Sequence, residues 1–179
     1  GIDLSVGSVL GLVAVAFSVM TIHYQWSAWI AVPLSIAIGA GCGMVSGGLI
    51  ARFTLQPFIV TLAMMVFARG MAKYISGGQK ISTYRSVDGG SIETLPLPEV
   101  FFLLDRRVFG DNVAVVTLVF LVCVAVTWVL LARLRMGRQL YAVGGNETAA
   151  RLSGVSVGRT KLVAFGLSGV FAAVAGICQ

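Results

Sequence analysis

Five long apolar runs constrain this chain more than any other feature of its sequence. Each run is close to the ~20 residues that a helix needs to cross a hydrocarbon core of roughly 30 Å. Apolar residues make up 58% of the chain and charged residues 11%, whereas charged residues reach about 25% in soluble domains. We therefore predict an all-α, polytopic transmembrane helix bundle with about five spans. The runs cover residues 4–22, 28–51, 58–75, 113–132 and 162–179.

The two longest polar segments between the runs differ in charge. Residues 133–161 contain six basic side chains and one acidic side chain, whereas residues 76–112 contain four basic and five acidic ones. Basic residues concentrate in the cytoplasmic loops of membrane proteins, so we assign residues 133–161 to the cytoplasm and residues 76–112 to the outer side. The net charge of +6 then reflects topology, and because basic and aromatic residues do not interleave, we expect no nucleic-acid partner.

A short helix is predicted in the middle of residues 133–161. Asn146 is suited to cap a helix over Glu147–Ser153, and Gly154 can close it with a positive φ angle. Glu147 and Arg151 stand in the order that favours both an ion pair and the helix dipole. A helix this short is marginal alone in water, and composition leaves two interpretations open: docking to a partner, or a solvated loop that only fixes the topology. The helix contains Glu147, Ala149, Ala150, Arg151 and Leu152.

Glycine recurs at every fourth position of the second apolar run, at Gly39, Gly43 and Gly47. This pattern is GxxxG twice in register, and it places small residues on one helix face so that another helix can approach closely. The last apolar run is also rich in small residues, among them Gly166 and Gly169. We therefore predict that these glycines serve helix packing, whatever the protein does.

Two polar features interrupt the apolar pattern. At the start of the chain, GIDLSVGS places Asp3 and Ser5 beside the first run, where Asp3 can cap a helix that begins near Leu4. A cap at the membrane surface and a helix break at membrane depth both fit this pattern, and the spacing favours the surface cap. In the third run, a basic residue at the bilayer centre costs about 2.5 to 3.5 kcal/mol. We therefore expect Arg69 to have a buried partner, whereas Lys73 lies nearer the end of the run and can snorkel.

Several motifs that would indicate an enzyme are missing from the sequence. It contains no GxxxxGKS or GxxxxGKT phosphate-binding loop, no HExxH and no paired carboxylates inside the apolar runs. Cys42, Cys123 and Cys178 lie singly within apolar runs, which argues against a disulfide framework or a zinc site. We therefore expect no catalytic residue, no metal and no cofactor in this chain. Because it begins without a methionine and ends inside an apolar run, we also expect it to be an internal piece of a longer protein.

Three stretches resemble the permease subunits of bacterial ABC sugar importers of the ribose, arabinose and xylose type. They are GIDLSVGS at 1–8, FIVTLAMMVFARGMAKYISGG at 58–78 and YAVGGNETAARLSGVSVGRTK at 141–161, and the match covers the whole chain in order and spacing. The resemblance implies a full subunit of about ten spans, of which these are the third to the seventh.

The resemblance also implies an assembly in the bacterial inner membrane. A second permease subunit would pair with this multi-pass chain, ATPase subunits would bind in the cytoplasm with ATP and Mg²⁺, and a periplasmic binding protein would deliver the sugar. The chain would then be a non-enzymatic transport subunit that forms the path for a ribose-like monosaccharide. The alternatives are an ABC permease for another small solute and a stand-alone secondary transporter.

The resemblance assigns roles to particular residues. Asn146 to Gly154 would be the coupling helix that sits in a groove of the ATPase, which makes residues 133–161 a cytoplasmic coupling loop and residues 76–112 a periplasmic loop. Asp3 and Ser5 would lie in a helix break near the translocation path, which reverses the preference for a surface cap. From charge and approximate depth, Arg69 is expected to brace Asp3 or a backbone carbonyl. Residues 147–150 read Glu-Thr-Ala-Ala and depart from the contiguous Glu-Ala-Ala of other importer permeases, so the coupling contacts cannot be copied from them.

Overall fold

Helices dominate the computed structural model, which describes residues 1–87, 91–108 and 112–179. Within those ranges, five helices are long and apolar enough to cross a membrane, which confirms the predicted helix bundle. The elements in chain order are α1 (Val6–Ser18), the π-helical turn (Val19–His23), α2 (Ala28–Phe53), α3 (Pro57–Ser76), β1 (Tyr84–Val87), β2 (Ser91–Thr94), α4 (Glu99–Asp105), β3 (Arg107–Val108), β4 (Val113–Ala114), α5 (Val115–Arg133), α6 (Arg135–Gly145), α7 (Glu147–Leu152) and α8 (Val157–Ile177). The five long helices are α1 together with the π-helical turn that continues it, α2, α3, α5 and α8.

The main core lies around α1, which packs against α2, α3 and α8. Val13 and Phe17 of α1 are almost completely buried there. Ala68 of α3 and Ala173 of α8 are equally buried beside them, and small side chains at these positions let the helices come close together. A Cβ atom added at Gly176 of α8 would come 2.6 Å from the carbonyl oxygen of Leu10, so the middle of α1 lies against the end of α8.

Helices α2 and α8 approach so closely that backbone touches backbone. Gly39, Gly43 and Gly47 lie on the buried face of α2. A Cβ atom added at Gly39 would come 2.6 Å from the Cβ of Ala173, and one added at Gly43 would overlap the carbonyl oxygen of Phe165. Gly169 of α8 meets the backbone of Gly39 from the other side. The spacing of the glycines thus gives a continuous stripe of contact between the two helices.

Residues 76–112, which are expected to form a loop, contain regular secondary structure. Strands β1 and β2 form an antiparallel hairpin that pairs Tyr84 with Thr94. The apolar run 100–104 lies in α4, and Phe101 packs on Phe17 of α1 with ring centroids 5.7 Å apart, so this run covers the bundle. Residues 88–90 and 109–111 of the predicted loop lie outside the described residues.

Residues 133–161 are also largely helical, which corrects their description as a loop with one short helix. The chain leaves α5 through Leu134, which has extended dihedral angles, and then begins α6. Gly137 permits this sharp corner, because a Cβ atom there would overlap the carbonyl oxygens at the end of α5. Helix α8 begins at Val157, earlier than the predicted start at Leu162, so that Arg159 and Lys161 belong to its first turns.

Candidate functional site: a capped helix and a buried polar group

Helix α7 is held at both ends by local hydrogen bonds. The side-chain oxygen of Asn146 accepts from the backbone N–H of Ala149 at 3.0 Å. At the other end, Gly154 has a φ angle of +81°, and the next residue, Val155, donates its N–H to the carbonyl of Ala150 at 3.0 Å. This is the αL closure that glycine favours after a helix. The helix ends at Leu152, one residue before the predicted end.

One side of α7 is buried and the other projects into open space. The Ala150 side chain is 4% exposed, whereas Leu152 is 86% exposed. Arg151 is also open, with 63% of its side chain exposed. The exposed side of α7 therefore combines a large apolar side chain with a basic one.

Glu147 connects α7 to α8. Its carboxylate accepts from Arg151 at 3.3 Å, as the spacing predicts, and pairs with Lys161 of α8 at 2.8 Å. The hydrogen bond from Lys161, with help from the charges of Lys161 and Arg151, holds the pKa of Glu147 below its ordinary value. Sequence reasoning missed Lys161 as a partner, because the contact depends on where α8 begins.

A polar group lies where the start of the chain meets α8. The Asp3 carboxylate accepts from the backbone N–H of Ser5 at 3.0 Å and from the Ser5 hydroxyl at 2.7 Å. Its other oxygen accepts from the Ser168 hydroxyl at 2.7 Å. Helix α1 begins at Val6 and not near Leu4, so Asp3 stabilises the turn before the helix and does not cap its first residue. Nothing in the sequence pattern pointed to Ser168, which is one of many small residues in α8.

Among the described residues, Arg69 bonds to Ser8 and not to Asp3 or a backbone carbonyl, which corrects that expectation. Its Nε donates to the hydroxyl of Ser8 in α1 at 3.1 Å. Ser8 is 6% exposed, so the Arg69 guanidinium donates to a buried hydroxyl. The Asp3 carboxylate instead accepts from Ser5 and Ser168, two partners that charge and approximate depth could not identify.

A cavity of about 560 Å³ joins the two polar groups, which sequence reasoning had treated separately. It lies between the start of the chain, α6 and α8, and α6 supplies Leu140 and Val143 to its wall. Its polar lining consists of Asp3, Glu147, Thr160, Lys161 and Ser168. Among residues 1–87, 91–108 and 112–179, no three His, Cys, Asp or Glu side chains are placed to hold a metal ion.

Comparisons with known proteins agree along the whole chain. The family model described as the permease component of branched-chain amino acid transport systems matches residues 1–179. The ribose import permease protein RbsC of Escherichia coli K12 is 38% identical over 100% of this chain and 52% of its own length. No solved structure matches.

Two further relatives carry different solutes in their names. The fructose import permease protein FruF of Bifidobacterium longum is 36% identical over 99% of this chain and 47% of its own length. The autoinducer 2 import system permease protein LsrD of Klebsiella pneumoniae is 34% identical over 99% of this chain and 51% of its own length. The chain thus spans about half the length of the curated relatives that it matches. It is an integral membrane protein and belongs to the family of permease components of branched-chain amino acid transport systems.

Proposed function

We propose that this chain forms part of the translocation path of an ABC importer for a ribose-like monosaccharide. The observation that carries the proposal is α7, a six-residue helix that is capped at both ends and presents the exposed Leu152 beside Arg151. A helix this short does not persist in water without support, so the caps and the bond to α8 keep a docking surface in one shape. The ribose and fructose import permeases among the relatives support a sugar as the cargo.

The docking partner in this proposal is a cytoplasmic ATPase that carries ATP and Mg²⁺. Closure of the ATPase dimer would move α7, and the packed helices would rock as rigid bodies between inward-facing and outward-facing states. The chain itself supplies no catalytic residue. The exposed Arg151 and Leu152 contact the ATPase groove, while Asn146, Ala149, Ala150 and Gly154 keep the helix in shape.

Asp3, Ser5 and Arg69 are proposed to lie near the translocation path. In support of this, Asp3 bonds to Ser168 near the middle of α8, so the non-helical residues before Val6 lie beside that part of the helix. Irregular backbone at membrane depth is tolerated only where protein or a water-filled cavity surrounds it. This placement favours a helix break over a surface cap.

The remaining parts of the assembly follow from the same proposal. The chain sits in the bacterial inner membrane, pairs with a second permease subunit and receives its sugar from a periplasmic binding protein. Residues 133–161 face the cytoplasm and residues 76–112 the periplasm, because the basic side chains are concentrated in the former segment.

The test is co-purification of the permease with its ATPase. Leu152→Asp places a charge on the proposed contact and is expected to reduce ATPase recovery at least about tenfold, because a buried unpaired charge at an interface costs more than 1.4 kcal/mol. Leu97→Asp is the matched control, since Leu97 is 46% exposed but lies in the opposite polar segment. Full ATPase recovery with Leu152→Asp would overturn the docking role. Solute uptake by the permease without any ATPase would overturn the importer assignment in favour of a stand-alone transporter.

A second class of transported solute is also supported, because the relative LsrD is named for the import of autoinducer 2. The purified importer, reconstituted with its binding protein, is expected to take up radiolabelled ribose. Uptake of labelled autoinducer 2 with none of ribose would replace the sugar in the proposal and leave the importer mechanism in place.

A further inference from the structure

One face of α8 joins the two polar groups around the cavity. Lys161 in the second turn of α8 pairs with Glu147 at 2.8 Å, and Ser168 donates to Asp3 at 2.7 Å. Lys161 and Ser168 are separated by about two helical turns, so their side chains lie on the same side of α8. Both side chains line the cavity of about 560 Å³.

The two bonds of Glu147 have different consequences. The bond to Arg151 lies within α7 and moves with it, and the Arg151 side chain is 63% exposed. The bond to Lys161 crosses from α7 to α8, and the Lys161 side chain is only 21% exposed. Of these two bonds, only the one to Lys161 can therefore pass a displacement of α7 to α8.

The bond between Asp3 and Ser168 also connects two separate elements, and it lies at the other end of this face of α8. Asp3 belongs to the non-helical residues before α1, and Ser168 is its only hydrogen-bond partner outside that turn among the described residues. Thr160 lines the same cavity, but its hydroxyl donates to the carbonyl of Ser156 at 2.9 Å within its own helix. Ser168 thus provides a tertiary connection that the Thr160 hydroxyl does not.

We propose that Lys161 and Ser168 are positioning residues that pass the movement of α7 through α8 to the start of the chain. The proposal rests on the proposed function, in which an ATPase moves α7. Helix α8 is suited to this task because its backbone contact with α2 keeps it rigid between the two bonds. Neither residue contacts the ATPase or the solute in this scheme; each acts through Glu147 or Asp3.

The experiment measures solute transported per ATP hydrolysed by the complete importer in proteoliposomes, with radiolabelled ribose as the probe. Lys161→Gln and Ser168→Ala are each expected to lower this ratio about two- to fivefold, the range that one partly exposed ion pair or hydrogen bond supports. Recovery of the ATPase with the permease stays unchanged. The matched control is Thr160→Val, which removes only the bond within α8 and is expected to keep the ratio.

A conservative exchange separates the loss of a link from a local structural defect. Lys161→Arg keeps a positive charge opposite Glu147 and is expected to keep the ratio within about twofold of the unaltered importer, because the ion pair can still form. Glu147→Gln breaks the same pair from the other side and serves if Lys161→Gln does not accumulate in the membrane.

The outcomes distinguish this proposal from the one on which it rests. If the ATPase does not co-purify with the unaltered permease, the proposed function fails. If it co-purifies and Lys161→Gln and Ser168→Ala keep the full ratio, only the connection through α8 is refuted. Loss of ATPase recovery in Lys161→Gln would also refute it, because Lys161 would then act in docking and not in transmission.

Discussion

At the residue scale, a single side-chain bond fixes the first turn of α7. The Asn146 oxygen accepts from the Ala149 N–H, and loss of such a cap costs about 1 kcal/mol. Asn146→Ala is therefore expected to speed hydrogen exchange of the Ala149 amide about fivefold. Asn146→Asp keeps the acceptor and should leave exchange unchanged, measured by mass spectrometry in detergent. Equal rates in Asn146→Ala and the unaltered chain would contradict the cap.

The lowered pKa of Glu147 gives a prediction with a defined sign. Because Lys161 and Arg151 favour the carboxylate, its pKa lies below the ordinary value of 4.5. The ion pairs therefore hold α7 in place above that pH, and their contribution is lost as the pH falls through the lowered pKa. A titration of the Glu147 carboxyl carbon by NMR should have its midpoint below 4.5, and Lys161→Gln should raise the midpoint. A midpoint at or above 4.5 in the unaltered chain would rule out the pairing.

Some of these residues could be predicted from sequence and others could not, for a physical reason. Asn146, Gly154 and the pair of Glu147 with Arg151 are governed by contacts within a few residues, where helix geometry fixes the distances. Lys161 and Ser168 depend on how α8 lies against α7 and the start of the chain, and that arrangement is tertiary. Arg69 was expected to need a partner, and it has one, but the identity of that partner depends on the depth at which α1 begins.

At the element scale, two glycines of α2 differ in how closely neighbouring atoms approach them. An added Cβ at Gly43 would overlap the backbone at Phe165, whereas one at Gly41 would meet nothing within 4 Å. Gly43→Ala is expected to destabilise the protein by about 1 to 3 kcal/mol through overpacking. Gly41→Ala should be neutral or stabilising by up to about 1 kcal/mol, because alanine favours a helix. Thermal unfolding in detergent checks both, and equal midpoints would contradict the close approach.

The five long helices could be predicted because apolar length is a local property, and their observed ends lie near the predicted ones except at α8. Helix α6 was missed because its polar and basic residues resemble a solvated loop, although Met136, Leu140 and Val143 form a partly buried stripe. The hairpin of β1 and β2 was missed because its pairing requires a turn that proline and glycine content alone does not specify.

At the scale of the whole molecule, charge asymmetry predicts which polar segments share a side of the membrane. In a background without Cys42, Cys123 and Cys178, Leu152→Cys should react with a membrane-impermeant maleimide only from the cytoplasmic side. Leu97→Cys should react only from the opposite side. Inside-out vesicles and intact spheroplasts provide the two orientations. Labelling of both cysteines from one side would contradict the topology.

The backbone contact between α2 and α8 limits how this bundle can deform. Two helices whose backbones are in contact at successive glycines cannot slide past one another without first separating, so α2 and α8 move as one rigid unit. By contrast, α5 has no buried residue in the described chain, so few contacts within this chain hold it in place. We therefore expect any alternation between two shapes to leave the pairing of α2 with α8 intact and to change the contacts around it.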